Sequence, residues 1–142
     1  MRKFLGAFVL LLIGLWFVGS MPNKSSAPAP DIRNAAPADV AKTSAGELFR
    51  MYDTNEVATD SSLKGRIVEV SGTVQGINKD FLDNLYVSLV TPNQFMSANM
   101  HVPKSEEQKL IQMRKGQSVV FRCAKMKRWA GAPSGDDCLV MQ

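Results

Sequence analysis

A chain of 142 residues that opens on an apolar stretch and a Pro/Ala-rich one leaves about 100 residues for a folded body, one domain with an adequate core. The formal charge of +4 divides unevenly: residues 1–42 hold five Lys/Arg against two Asp, and residues 43–142 hold twelve basic against eleven acidic side chains. A body that is nearly neutral argues for no particular charged partner, and a single His with two Cys excludes a His- or Cys-rich metal centre.

Met1, Arg2 and Lys3 precede the mostly apolar run 4–18, the charged and apolar regions of an export signal. As a helix that run spans roughly 22 Å, short of a hydrocarbon core of about 30 Å unless residues to Met21 are counted. Residues 1–20 therefore read either as a cleaved signal peptide, with Val18 and Ser20 at the positions before the cut, or as a membrane anchor. No Cys lies nearby to carry a lipid, and the basic start places the rest of the chain outside the cytoplasm. Residues 21–42, rich in Ala, Pro, Ser and Asn without periodicity, read as a disordered linker, so the expected domain is 43–142.

Ser44-Ala45-Gly46-Glu47 has capping-box spacing ahead of Leu48, Phe49 and Tyr52, which predicts a helix to Tyr52 and a further short turn over 56–60. Residues 66–78 alternate, with Val68, Val70, Gly72 and Val74 on one face; Ile77 is out of phase, so a bulge is expected at Gly76. Strands follow at 85–90 and 96–102, the latter with Met96, Ala98 and Met100 inward. Ser105-Glu106-Glu107-Gln108 predicts a second capped helix, ended by Gly116. Strands at about 117–126 and 137–141 complete the pattern, with Asp136-Asp137 read as a hairpin turn. Three strands, a helix and two strands, with a long bent first strand, is the layout of a mainly β, five-stranded OB-fold barrel behind a short N-terminal helix and the export helix.

The block Tyr52-Asp53-Thr54-Asn55-Glu56-Val57-Ala58-Thr59-Asp60, followed by Lys64 to Val74, resembles the tRNA-anticodon-like OB-fold family of exported bacterial proteins and lipoproteins. Lys115-Gly116-Gln117-Ser118-Val119 and the closing Cys138 extend the likeness over about residues 48–141. Leu63 stands where the family pattern has an aromatic, and the segment between the last two strands is basic and bears Trp129. The resemblance implies the fold and no established activity.

In an exported chain Cys123 and Cys138 are expected to be oxidised, and adjacent antiparallel strands would bring them within bonding distance. The disulfide closes a loop of about 16 residues, for roughly 3 kcal/mol. Catalysis has little to work with: His101 beside Ser97 or Ser88 is the one conceivable nucleophile pair, and the chain reads as no enzyme, without cofactor or metal. OB-folds bind ligands on the second and third strands and the flanking loops. That template selects Tyr86, Ser88, Ser97, Asn99 and His101 on the sheet, Lys79 and Phe81 at one end, and Lys125, Lys127, Arg128 and Trp129 at the other.

The expectation is thus a non-catalytic envelope module binding a protein, peptide or envelope polymer, periplasmic, and either anchored in the inner membrane through residues 4–20 or secreted. Oligonucleotide binding is the first alternative, disfavoured by an acidic stretch over 43–83 with four basic against seven acidic residues. A structural or inhibitory subunit of an envelope complex is the second.

Overall fold

The computed structural model describes residues 31–141, so the expected export segment and the linker up to residue 30 lie outside the described residues. Its strands and helices are β1 (Val40–Ser44), α1 (Ala45–Thr54), α2 (Glu56–Leu63), β2 (Ile67–Lys79), β3 (Leu85–Leu89), β4 (Ala98–Val102), α3 (Glu107–Gln112), β5 (Ser118–Trp129) and β6 (Ala132–Val140). Among the described residues no helix is long and apolar enough to cross a membrane.

β2 is the strand on which the barrel turns. Its first half pairs with β1 and β5 and its second half with β3, and the register shifts between Val74 and Gly76, where the alternation in the sequence slips. The order β1-β2-β3-β4-β6-β5 closes through β2–β5, a five-stranded OB-type barrel with α3 between its third and fourth strands and β1 as an added parallel strand. Val68, Val70 and Val74 of β2, Val87 and Leu89 of β3, Met100 of β4 and Phe121 of β5 fill the interior.

The segment of the family resemblance builds a corner between two helices. Ser44 caps α1 by accepting from the Glu47 N–H (3.2 Å), and Asn55 caps α2 by accepting from the Ala58 N–H (3.0 Å). Tyr52 is buried and donates to Asp60 Oδ1 at 2.9 Å; burial first, then that hydrogen bond, holds its hydroxyl well above the usual phenol range. Both helices run longer than the periodicity predicts, α1 to Thr54 and α2 to Leu63, because the Asn55 cap lets one start where the other ends.

From Asp31 onward the expected linker is ordered, and the domain therefore begins earlier than residue 43. Val40–Ser44 lies parallel to Ile67–Ser71. Upstream, Arg122 donates to the carbonyls of Ile32 (3.4 Å) and Arg33 (2.9 Å) while its Nε holds Glu69 at 2.8 Å. The partners are distant in sequence, so composition and local periodicity carry no sign of them.

Glu106 also departs from its expected role. Ser105 does not cap α3; a 3-10 turn at Lys104–Glu106 precedes the helix, and the Glu106 side chain turns inward, almost fully buried. Its carboxylate accepts from Arg33 Nη2 (2.8 Å), Lys109 Nζ (3.0 Å) and the Val140 N–H (2.9 Å), joining the N-terminal segment, α3 and the end of β6. Burial alone would raise this carboxyl, but the Val140 N–H, Lys109 and Arg33 outweigh it and hold it below its usual 4.5.

The cysteines pair directly across β5 and β6 and form the expected disulfide, fully buried, across a sequence separation of 15. Gly135 makes room for it: a Cβ there would lie 2.6 Å from Cys123 Sγ and 2.8 Å from Cys138 Sγ. Residues 135 and 138 approach the same sulfurs because the two strands invert phase together beyond Cys123, with Asp137 at φ 51°. Asp136-Asp137 consequently lies within β6 instead of forming a turn. The turn is Ala130-Gly131, both at positive φ, the two-residue hairpin geometry that extends β5 to Trp129.

Gly135→Ala is expected to lower the urea unfolding midpoint, at a cost of about 1–3 kcal/mol from overpacking against the sulfurs; an unchanged midpoint would contradict that packing. Glu106→Gln should cost about 2 kcal/mol at pH 7. Because the folded-state carboxyl is depressed, its contribution is present above pH 4.5 and is lost as pH falls through the folded value. The stability gap between wild type and Glu106→Gln should therefore close in acid, as read by unfolding curves from pH 7 down to pH 3.

Candidate ligand-binding face

Pairing registers place the sequence-predicted sheet residues in rows across the outer face. Tyr86 lies opposite His101, their rings 5.4 Å apart, and Lys125 opposite Asp136. His101, Lys125, Asn84, Asp136 and Asp137 line one open cleft of about 480 Å³ between β4 and the β5–β6 pair. The next row runs from Ser88 to Asn99, on to Ser134 and then to Lys127. Ser88 donates to Asn99 Oδ1 (2.9 Å) and accepts from Asn78 Nδ2 (3.4 Å), while Ser97 donates to Gln75 Oε1 (2.9 Å). Both serine hydroxyls are thus engaged away from His101, and the imagined nucleophile pair is not assembled.

The basic residues near the hairpin part ways. After the phase inversion Lys125, Lys127 and Trp129 point outward, whereas Arg128 turns in, three-quarters covered. Its guanidinium donates to the Tyr52 carbonyl (3.2 Å) and the Gly131 carbonyl (3.2 Å) and lies 3.6 Å from Asp53 and 3.7 Å from Glu56. Arg128 is therefore a tie between the hairpin and the α1–α2 corner. Lys127 is held by Asp136 at 2.6 Å, and Lys79 and Lys104 share Asp83 at 2.9 and 3.0 Å. Lys125 is the face lysine outside any ion pair among the described residues.

The aromatics stand apart at the two ends. Trp129 is 70% exposed beside the hairpin turn, whose Gly131 packs on Met96; Phe95, 85% exposed, is the next residue, so the two rings belong to one end of the barrel. Met96, expected inward, lies before β4 begins and serves that contact instead. Thr91 Oγ1 donates to the Met96 carbonyl (2.6 Å) and Asn93 Oδ1 accepts from the Phe95 N–H (2.9 Å), which fixes the β3–β4 loop and presents Phe95. Phe95 was not among the predicted contacts; a lone aromatic in the polar run Thr91-Pro92-Asn93-Gln94 is the sequence signal for it. Phe81, 94% exposed, sits in the β2–β3 turn at the opposite end, away from Trp129. Among the described residues no three His, Cys, Asp or Glu side chains gather in a way that could hold a metal ion.

A closed five-stranded barrel with a helix between its third and fourth strands, its long bent strand shared by two sides, defines an OB-fold domain. The chain belongs to the tRNA_anti-like family, whose model matches residues 1–130. No curated protein matches it. Among solved structures, a lipoprotein from Klebsiella pneumoniae to which nucleic acid binding is attributed aligns with TM-score 0.58 at 13% identity, over 74% of this chain and 94% of that one. An OBody bound to hen egg-white lysozyme aligns at TM-score 0.42 and 12% identity, over 57% of this chain and 84% of that one. The Stn1-ten1 complex of S. pombe aligns at 0.39 and 11%, over 54% and 58%. At such identity the Klebsiella likeness establishes the fold alone.

Arg128→Ala is expected to destabilise the domain by about 1–2 kcal/mol, since it strands the Tyr52 and Gly131 carbonyls. Lys125→Ala should leave stability within about 0.5 kcal/mol. Thermal unfolding of the two variants side by side separates the structural cation from the available one.

Proposed function

We propose that this domain is a non-catalytic binding module of the cell envelope, taking a protein or peptide partner on its outer β3–β4–β6–β5 face with Trp129 and Phe95 as apolar anchors. The observation that carries the reading is the mismatch between aromatic exposure and available charge. Two large rings stand 70% and 85% exposed beside a face whose lysines, save Lys125, are already paired to aspartates. Exposed aromatics at the edge of a neutral polar surface are the composition of a protein-recognition hot spot. A polyanion would instead need several unpaired cations, because each phosphate neutralised is what generates affinity. The buried disulfide and the export-type N-terminus support an oxidising, extracytoplasmic location.

Oligonucleotide binding is the second reading, favoured by Lys125 and His101 beside the Tyr86 ring and by the activity attributed to the Klebsiella lipoprotein. The two separate by salt. The full chain is immobilised and offered a solubilised envelope extract and, in parallel, an oligothymidylate, each at low and high ionic strength. Retention of a defined envelope component at high salt, weakened about tenfold or more by Trp129→Ala in a folded variant, is expected for an aromatic anchor. Retention of the oligothymidylate alone, or an envelope complex indifferent to Trp129→Ala, would remove the protein-binding reading.

A further inference from the structure

β4 and β6 lie side by side for two residues and then part. They pair in parallel at Asn99 with Ser134 and at Met100 with Gly135; continued, that register would bring His101 to Asp136 and Val102 to Asp137, and neither pair forms. On the far wall Asp137 turns at φ 51°, and β6 stays in register with β5, Lys125 opposite Asp136 and Cys123 opposite Cys138, while it leaves β4. On the near wall β4 stays with β3 to its end, His101 opposite Tyr86 and Val102 opposite Leu85. The space between them is the cleft of about 480 Å³, walled by 101–103 on one side and by Lys125, Asp136 and Asp137 on the other.

Strands that part leave main-chain groups without a partner strand. Successive residues of an antiparallel ladder direct their N–H and C=O to opposite sides, so one of His101 and Val102 turns both groups away from β3 and toward the cleft. Farther along β6 the corresponding edge is closed by side chains. The Val140 N–H donates to Glu106, and the Val140 carbonyl accepts from Arg33 (3.1 Å) and Lys109 (3.4 Å). The stretch at 136–137 faces the cleft instead.

The charges of the cleft sort into engaged and free. Asp136 is held by Lys127 at 2.6 Å, and the Asn84 amide is held by Asp80 at 3.0 Å. Lys125 and Asp137 lie outside any ion pair among the described residues, one cation and one anion on the same wall. A polyanion would have to carry negative charge past Asp136 and Asp137, whereas a peptide with free ends brings one group of each sign.

We infer that the split between β4 and β6 is a main-chain recognition slot for a short extended peptide, which exchanges hydrogen bonds with the parted strand edges and sets a carboxylate on Lys125 and an ammonium on Asp137. This is strand addition confined to a gap. Residues 101–103 wall the cleft and a strand rises about 3.3 Å per residue, so the bound segment is about three residues, roughly 10 Å long. The inference deepens the peptide-binding reading of the outer face and rests on it for the class of ligand.

Trialanine is the probe, titrated into the ¹⁵N-labelled full chain in neutral detergent and followed by amide chemical shifts. Saturable shifts at His101, Val102, Asp136 and Asp137 are expected. Lys125→Ala and Asp137→Asn should each weaken binding about three- to fivefold, the scale of a solvent-exposed ion pair; asparagine tolerates the positive φ at 137, so that variant keeps the backbone. Triproline carries the same end charges without an amide N–H and should bind about tenfold more weakly. No shift at these amides in millimolar trialanine, or equal affinity for triproline, overturns the slot. Shifts there from an oligothymidylate and none from trialanine assign the cleft to nucleic acid and overturn it equally. Failed envelope capture with trialanine still bound would remove the larger partner and leave the slot; salt-resistant capture without trialanine shifts would remove the slot alone.

Discussion

Everything in this barrel depends on one strand serving two sides. β2 is thirteen residues long; its first half completes hydrogen bonds with β1 and β5, and its second half swings away to pair with β3. The register break at Val74–Gly76 permits the swing, because an extra unpaired residue bends a strand and increases its twist. Without that bend β5 could not meet β2, the sheet would remain open, and the Val68, Val70 and Phe121 side chains would have no opposite wall. β1 belongs to the same logic, since it covers the stretch of the β2 edge that β3 leaves unpaired.

Closure in turn decides where charge and aromatic surface go. The β5–β6 hairpin is pinned by the disulfide at its middle and by Arg128 at its end, so its outer residues are held in place by contacts on the inner side. Lys127, Lys79 and Lys104 are consumed by aspartates of the same domain. The face offers neutral polar rows with aromatic groups at one end, and Lys125 is its lysine outside any ion pair among the described residues.

Much of the architecture was legible because it rests on short-range rules. Alternation at 66–78, the Ser44 cap, the Gly76 slip and the pairing of Cys123 with Cys138 follow from strand period, capping chemistry and strand adjacency. The placement of the candidate residues was legible in part: Tyr86, Asn99 and His101 lie on the outer face as the alternation requires and Ser88 lies buried in the same row, whereas Lys125 and Trp129 reach that face only through the phase inversion beyond Cys123. Arg128 and Met96 did not follow, since a phase inversion beyond Cys123 and a late start to β4 redirect them, and neither leaves a mark in a simple alternating pattern. The presentation of Phe95 has no counterpart in strand periodicity, because it is produced by the Thr91 hydroxyl bonding to the Met96 carbonyl and the Phe95 N–H bonding to Asn93 Oδ1 within the loop.

The sequence by itself determined the export-type start, the nearly neutral body, the order of the five barrel strands and of the helices around them, and the two thiols available for oxidation. These are properties of composition and local period, and they need no knowledge of which strand lies beside which. Only the tertiary structure decided that residues from Asp31 onward belong to the domain, that Glu106 is a buried ionic hub and not a solvated acid in the first turn of a helix capped by Ser105, and that most cations of the candidate face are already spent. Each of those outcomes joins residues tens of positions apart, and an ion pair such as Arg33 with Glu106 has no local signature. Glu106 can be that hub only because the barrel brings Arg33, Lys109 and the Val140 N–H to one point from three separate elements.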